Sequence, residues 1–124
     1  MDKLKVLLID DEEELVTTLV ERLGYRGVEA EYALDGYAAL LKMREGDYDV
    51  VLLDLKLPGM GGREVLKRLK KDFPKVPVLL ITGHGGVEED AHEGLDGAYD
   101  YLTKPAQLDD LIAKMREAVK HDDR

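Results

Sequence analysis

Apolar positions along the chain gather into five short runs, separated by stretches in which they recur with helical spacing. The first run is Leu4 to Ile9, and Asp10-Asp11 follows it. Between Glu13 and Leu23, Leu15, Leu19 and Leu23 stand at i, i+4 and i+8, with Val16 and Val20 beside them. That is one face of a helix, and Gly24 is placed to stop it. Val28, Ala30 and Tyr32 alternate with Glu29 and Glu31, the period of a strand with one wet face. Asp35 is positioned to cap a second helix through Ala38, Leu41 and Met43. The third run, Val50 to Leu53, ends at Asp54. A Pro58-Gly59-Met60-Gly61-Gly62 loop then leads to a helix marked by Val65, Leu66 and Leu69. Val76 to Ile81 carries Pro77 near its start, where a strand tolerates proline. A Thr82-Gly83-His84-Gly85-Gly86 loop precedes a short acidic helix from about Val87 to Leu95, and Ala98 to Leu102 is the fifth run. Leu108, Leu111, Ile112, Met115 and Val119 form the last helical stripe.

Strands alternating with helices at this spacing predict a parallel sheet covered by helices on both faces. Runs one, three and four are apolar through their centres, which suits strands buried on both sides. Runs two and five carry Glu29, Glu31 and Asp100, and suit the edges. With right-handed crossovers, the strand order 2-1-3-4-5 meets these demands. The expected fold class is therefore α/β: a flavodoxin-like, doubly wound, five-stranded parallel sheet with five helices.

Length and composition narrow this further. At 124 residues there is room for one domain, expected over 1–124 with its core at about 4–119 and a short tail at 120–124. The net charge is −9, from 18 basic and 27 acidic residues, which argues against nucleic-acid binding by this domain. Cysteine is absent, so disulfides and thiolate metal sites are excluded. No apolar run is long enough for a signal peptide or a membrane span, and a cytoplasmic location is the expectation.

In a doubly wound sheet, ligands bind at the carboxyl ends of the strands, near the switch point between strands one and three. The residues at those ends are Asp10 and Asp11, Asp54, Thr82, and the Lys104-Pro105 pair after strand five. Each has a plain structural explanation when taken alone. The acids suit helix caps or turns, the threonine suits loop chemistry, and Lys-Pro suits a break before a helix. Their weight comes from convergence on one rim. Three carboxylates repel one another unless some protonate or share a cation, and Mg²⁺ suits two or three carboxylates plus waters. With a cation present, Asp54 can attack phosphorus as a nucleophile. Lys104 would neutralise a phosphoryl oxygen, and Thr82 would donate a hydrogen bond to another.

These residues carry a resemblance that extends over essentially the whole chain. Val6-Leu7-Leu8-Ile9-Asp10-Asp11, the segment from Leu52-Leu53-Asp54 to Gly61-Gly62, Ile81-Thr82-Gly83, and Tyr101-Leu102-Thr103-Lys104-Pro105 together resemble the response-regulator receiver domain of two-component signalling. The resemblance implies that Asp10, Asp11, Asp54 and the backbone carbonyl of Lys56 hold Mg²⁺, with Mn²⁺ able to substitute. It implies that Asp54 accepts a phosphoryl group from a sensor histidine kinase or phosphotransfer protein, small donors such as acetyl phosphate being able to replace it. It further implies a switch, in which Thr82 moves towards the phosphate and Tyr101 turns inward behind it. That change would be relayed to the face made by the fourth helix, the fifth strand and the last helix. A cis peptide before Pro105 is also implied. Lys56 and His84, each two residues beyond Asp54 and Thr82, stand where the family tunes phosphate lifetime, and their pairing gives that lifetime no direction.

The expected function is thus a phosphorylation-activated signalling receiver, which catalyses its own phosphotransfer and autodephosphorylation without being a conventional enzyme. An aspartyl-nucleophile phosphatase would place a second Asp two residues after the nucleophile, where this chain has Lys56. A phosphorylation-independent module of the same fold would have lost the acceptor or the acidic pair, and a flavin-binding protein would need a phosphate loop in place of Asp10-Asp11-Glu12-Glu13-Glu14. The partner on the output side is a downstream protein or an output domain that the sequence lacks, with a phosphorylation-dependent homodimer as a further option. His92 and His121 have the character of solvated residues.

Overall fold

The computed structural model describes residues 3–83 and 97–122. The alternating runs become β1 (Leu4–Ile9), α1 (Glu13–Tyr25), β2 (Val28–Ala33), α2 (Gly36–Glu45), β3 (Val50–Asp54), α3 (Gly62–Asp72), β4 (Val78–Thr82), β5 (Asp100–Thr103) and α4 (Leu108–Asp122). All strand pairs are parallel, and the sheet order is β2-β1-β3-β4-β5. The helix expected at about Val87 to Leu95 lies outside the described residues, as does His84.

Strand periodicity divides the core into two layers. Leu7, Ile9, Val51, Leu53, Val78 and Leu80 face α2 and α3, where they meet Ala39, Leu40, Met43, Val65, Leu66 and Leu69. Val6, Leu8, Val50, Leu52, Leu79 and Ile81 face α1 and α4, against Val16, Leu23, Leu111, Ile112, Met115 and Ala118. β3 and β4 are buried at every position, whereas β2 and β5 are partly exposed, as edge strands are. Among the described residues no helix is long and apolar enough to cross a membrane.

Three local expectations are corrected. α1 runs through Gly24 to Tyr25, and it is Gly27, with φ of 80°, that takes the left-handed turn into β2. Leu15 and Leu41 belong to the apolar stripes, yet they are 46% and 54% exposed. Ala39, Leu40 and Met43 fill the buried face of α2, which leaves Leu41 turned outward. β4 and β5 start at Val78 and Asp100, each two residues later than the runs Val76 to Ile81 and Ala98 to Leu102, which leaves Pro77 before its strand.

Candidate functional site

Parallel strands carry their last residues to one rim, so the site is built by the register of the sheet. Ile9 pairs with Leu53, and Asp54 with Ile81, which puts Asp10, Asp54 and Thr82 side by side at the ends of the three central strands. Asp54 is 4% exposed and Asp10 8%. Asp11 is exposed beside them, and the three acids each offer an oxygen within 4.8 Å of the others.

The two buried carboxylates are held in the same way. Asp10 Oδ1 accepts from the Glu12 amide at 2.9 Å, and Asp54 Oδ1 accepts from the Lys56 amide at 3.0 Å. Their other oxygens accept from the Lys104 ammonium, at 3.1 Å and 3.2 Å. Glu12 Oε1 is a third acceptor for that ammonium, at 3.1 Å. Burial pushes the Asp10 carboxyl above the usual aspartate range, only partly offset by the Glu12 amide and by Lys104. Desolvation opposes the charge on Lys104, but hydrogen bonds to Asp10 and Glu12 and the Asp54 charge outweigh it and raise its pKa. Asp10, Asp54 and Glu12 share one ammonium, with Asp11 beside them, so the cluster is short of positive charge. Hard oxygen donors of that kind fit a hard cation.

The surrounding loops fix this arrangement. Gly62 opens α3 against the backbone of Leu55, where an added Cβ would come within 2.5 Å of the main chain, so only glycine lets α3 close on the segment after Asp54. The Lys56 side chain reaches towards β4, its ammonium 3.9 Å from where a Gly83 Cβ would sit. Thr82 is fully buried, and its Oγ1 has no hydrogen-bond partner among the described residues. A buried orphan hydroxyl beside the acids is a donor awaiting an acceptor. The Lys104 amide donates to the Thr82 carbonyl at 2.6 Å, and the Lys104-Pro105 peptide is cis. Tyr101 is half-buried and packs against the core layer on the α2 and α3 side.

The model of the response regulator receiver domain matches residues 6–116. The chain belongs to the response regulator receiver domain family. Receiver domains are phosphorylation-activated signalling modules, and this one is 40% identical over 121 residues to the uncharacterized transcriptional regulatory protein YkoG of Bacillus subtilis, covering 97% of the chain and 53% of YkoG. It is 42% identical over 116 residues to the sensory transduction protein RegX3 of Mycobacterium bovis, covering 93% of the chain and 50% of RegX3. The chain therefore spans about half the length of these relatives. A response regulator receiver domain from Clostridium thermocellum superposes with a TM-score of 0.88 at 30% identity, with 97% of each chain covered.

Two features at this rim were not anticipated from sequence. One is the Glu12 contact to Lys104, whose only sequence signal is that Glu12 extends the acidic pair. The other is an apolar recess of about 190 Å³ between α1 and α4, lined also by Leu52 and Ile81 of the sheet and by Lys104, Pro105 and Ala106. Leu15, on the wall of that recess, is the exposed member of its stripe.

Proposed function

We propose that Asp54 is the phosphoacceptor of this receiver, taking a phosphoryl group from a histidine-kinase phosphohistidine in a Mg²⁺-dependent reaction. The observation that supports this most is the buried Asp54 carboxylate, fixed by the Lys56 amide and the Lys104 ammonium beside Asp10 and Asp11. A P–O bond to Asp54 forms as the P–N bond of the donor breaks, and the imidazole leaves neutral, keeping the proton its other ring nitrogen already carried. Asp10, Asp11, Asp54 and the Lys56 carbonyl are the protein ligands proposed for Mg²⁺, with Mn²⁺ as a substitute. When bound, the cation supplies charge that offsets the acids and the phosphoryl oxygens. Lys104 holds one phosphoryl oxygen, already standing 3.2 Å from Asp54 Oδ2. Thr82 gives its unused donor to another.

In this reading, engagement of Thr82 draws Tyr101 further into the core and alters the output face on the side of β5 and α4. Lys56 and His84 set how long the phosphate survives, through autodephosphorylation. The chain acts as a single receiver unit over 1–124, working in the cytoplasm between a sensor kinase or phosphotransfer protein and a downstream target or output domain. Incubation with acetyl phosphate and Mg²⁺, followed by intact mass, is expected to show one phosphoryl adduct that Asp54→Asn abolishes. An adduct that survives the substitution, or none with either acetyl phosphate or beryllofluoride as probe, would overturn the assignment.

A further inference from the structure

The N-cap residue of α1 is Glu12, and its side chain makes no capping hydrogen bond. Ser, Thr, Asp and Asn are favoured at such a position because their short side chains reach back to the first free amides. Glu12 instead sends its carboxylate away from the helix to the Lys104 ammonium, while its own amide donates to Asp10. It therefore touches both a member of the acid cluster and the cation that bridges it. Glu12 is not itself one of the three acids that gather closely enough to share a metal.

The placement matters because of what the two buried carboxylates already hold. On Asp10 and Asp54, Oδ1 is taken by a backbone amide and Oδ2 by Lys104. A divalent cation entering the cluster would therefore compete with the ammonium for the Asp10 and Asp54 carboxylates. The remaining acceptor for Lys104 among the described residues is Glu12, whose carboxylate is 61% exposed and stands outside the cluster.

We infer that Glu12 is a positioning residue that holds Lys104 at the mouth of the acid cluster, so that a divalent cation can take Asp10 and Asp54 while the ammonium stays beside the acceptor. This rests on the cation site proposed above. Without Glu12, Lys104 has only the cluster acids for partners and competes harder for them.

The test is calorimetric titration of Mn²⁺ into the full chain, its Glu12→Gln, Glu12→Asp and Lys104→Met variants, and the Glu12→Gln/Lys104→Met double variant. Glu12→Gln is expected to weaken binding roughly two- to fivefold, the scale of a partly exposed ion pair. In the Lys104→Met background the same change is expected to do nothing further. Glu12→Asp keeps the charge but is one methylene shorter, so it can cap α1 yet not reach Lys104. Its melting temperature should rise while its Mn²⁺ affinity falls, a divergence that a merely structural role would not produce. In metal-free protein, the Lys104 side-chain NMR signal, identified by its loss in Lys104→Met, should shift on Glu12→Gln. Equal weakening with and without Lys104 would make Glu12 a distant charge acting on the metal, and would overturn the inference. So would wild-type affinity in Glu12→Gln or in Glu12→Asp. Failure of the wild type to bind Mn²⁺ would instead remove the cation site itself, and this inference with it.

Discussion

At the carboxyl end of the sheet one ammonium is shared by three carboxylates; on the outer side of β2 one carboxylate is shared by two ammoniums and a phenol. In the second cluster Tyr48 donates to Glu31 Oε1 at 2.6 Å, and the Lys42 and Lys5 ammoniums stand 3.7 Å and 3.9 Å from the Glu31 carboxylate. Lys5 also lies over the Tyr48 ring, 5.1 Å from its centre. The Tyr48 hydrogen bond, aided by the two lysines, holds the Glu31 carboxyl below the usual glutamate range. At the rim the sign is opposite, with burial pushing Asp10 up. A carboxylate matched by positive charge stabilises the fold. A group of acids left short of positive charge is suited instead to a cation that completes it.

The largest effect that separates the two clusters should come from Lys104→Met. Formation of the Asp54 adduct from acetyl phosphate is expected to slow about 100-fold or more, the usual consequence of removing a donor aimed at developing charge. Tyr48→Phe, in the other cluster, should leave that rate unchanged. Time-resolved intact mass measures both. A Tyr48→Phe protein slowed as much as Lys104→Met would mean that the two clusters are not functionally distinct.

Much of the rim was legible because a parallel sheet converts strand ends into neighbours. Asp10, Asp54 and Thr82 needed only the positions where apolar runs stop, and Lys104 only its place after the fifth. The β2 cluster was not legible. Glu31 reads as the wet face of an edge strand, and Tyr48 lies 17 residues away in the connection before β3. Glu12 was missed for the same physical reason, since its contact spans 92 residues and depends on a side-chain rotamer. Periodicity likewise marked Leu15 and Leu41 as apolar without telling which of two adjoining stripes is buried. Sequence pattern gives backbone placement, whereas long-range side-chain pairing follows only from packing.

A second contrast sets function against stability. Asp10→Asn should weaken Mg²⁺ binding roughly tenfold or more, because affinity follows the charge of the ligand set. The same change removes a carboxylate that burial disfavours, so the metal-free protein should melt a few degrees higher. Tyr48→Phe should do the reverse. It forfeits a hydrogen bond from a buried phenol to a carboxylate, lowering stability by about 1 kcal/mol with Mg²⁺ affinity intact. Thermal melts and calorimetry on the two variants test this crossing, and a destabilised Asp10→Asn would show that its charge is already matched by Lys104.

The smallest effect lies in the pH dependence, where the two acids should differ in sign. The folded-state pKa of Glu31 is depressed, so its ionised form contributes stability above the ordinary glutamate value of about 4.3, and that contribution disappears as pH falls through the lower folded value. Asp10 has a raised folded-state pKa. Its ionisation therefore costs stability, fully above the folded value, and the cost is relieved as pH falls through that value towards the ordinary 3.8. Urea unfolding of metal-free protein from about pH 7 to pH 3 should show Glu31→Gln less stable than wild type at neutrality and Asp10→Asn more stable. Both differences should shrink on acidification, from opposite sides. If both variants lay on the same side of wild type at neutrality, the two clusters would share one charge balance, and the distinction between a matched and an unmatched site would fail.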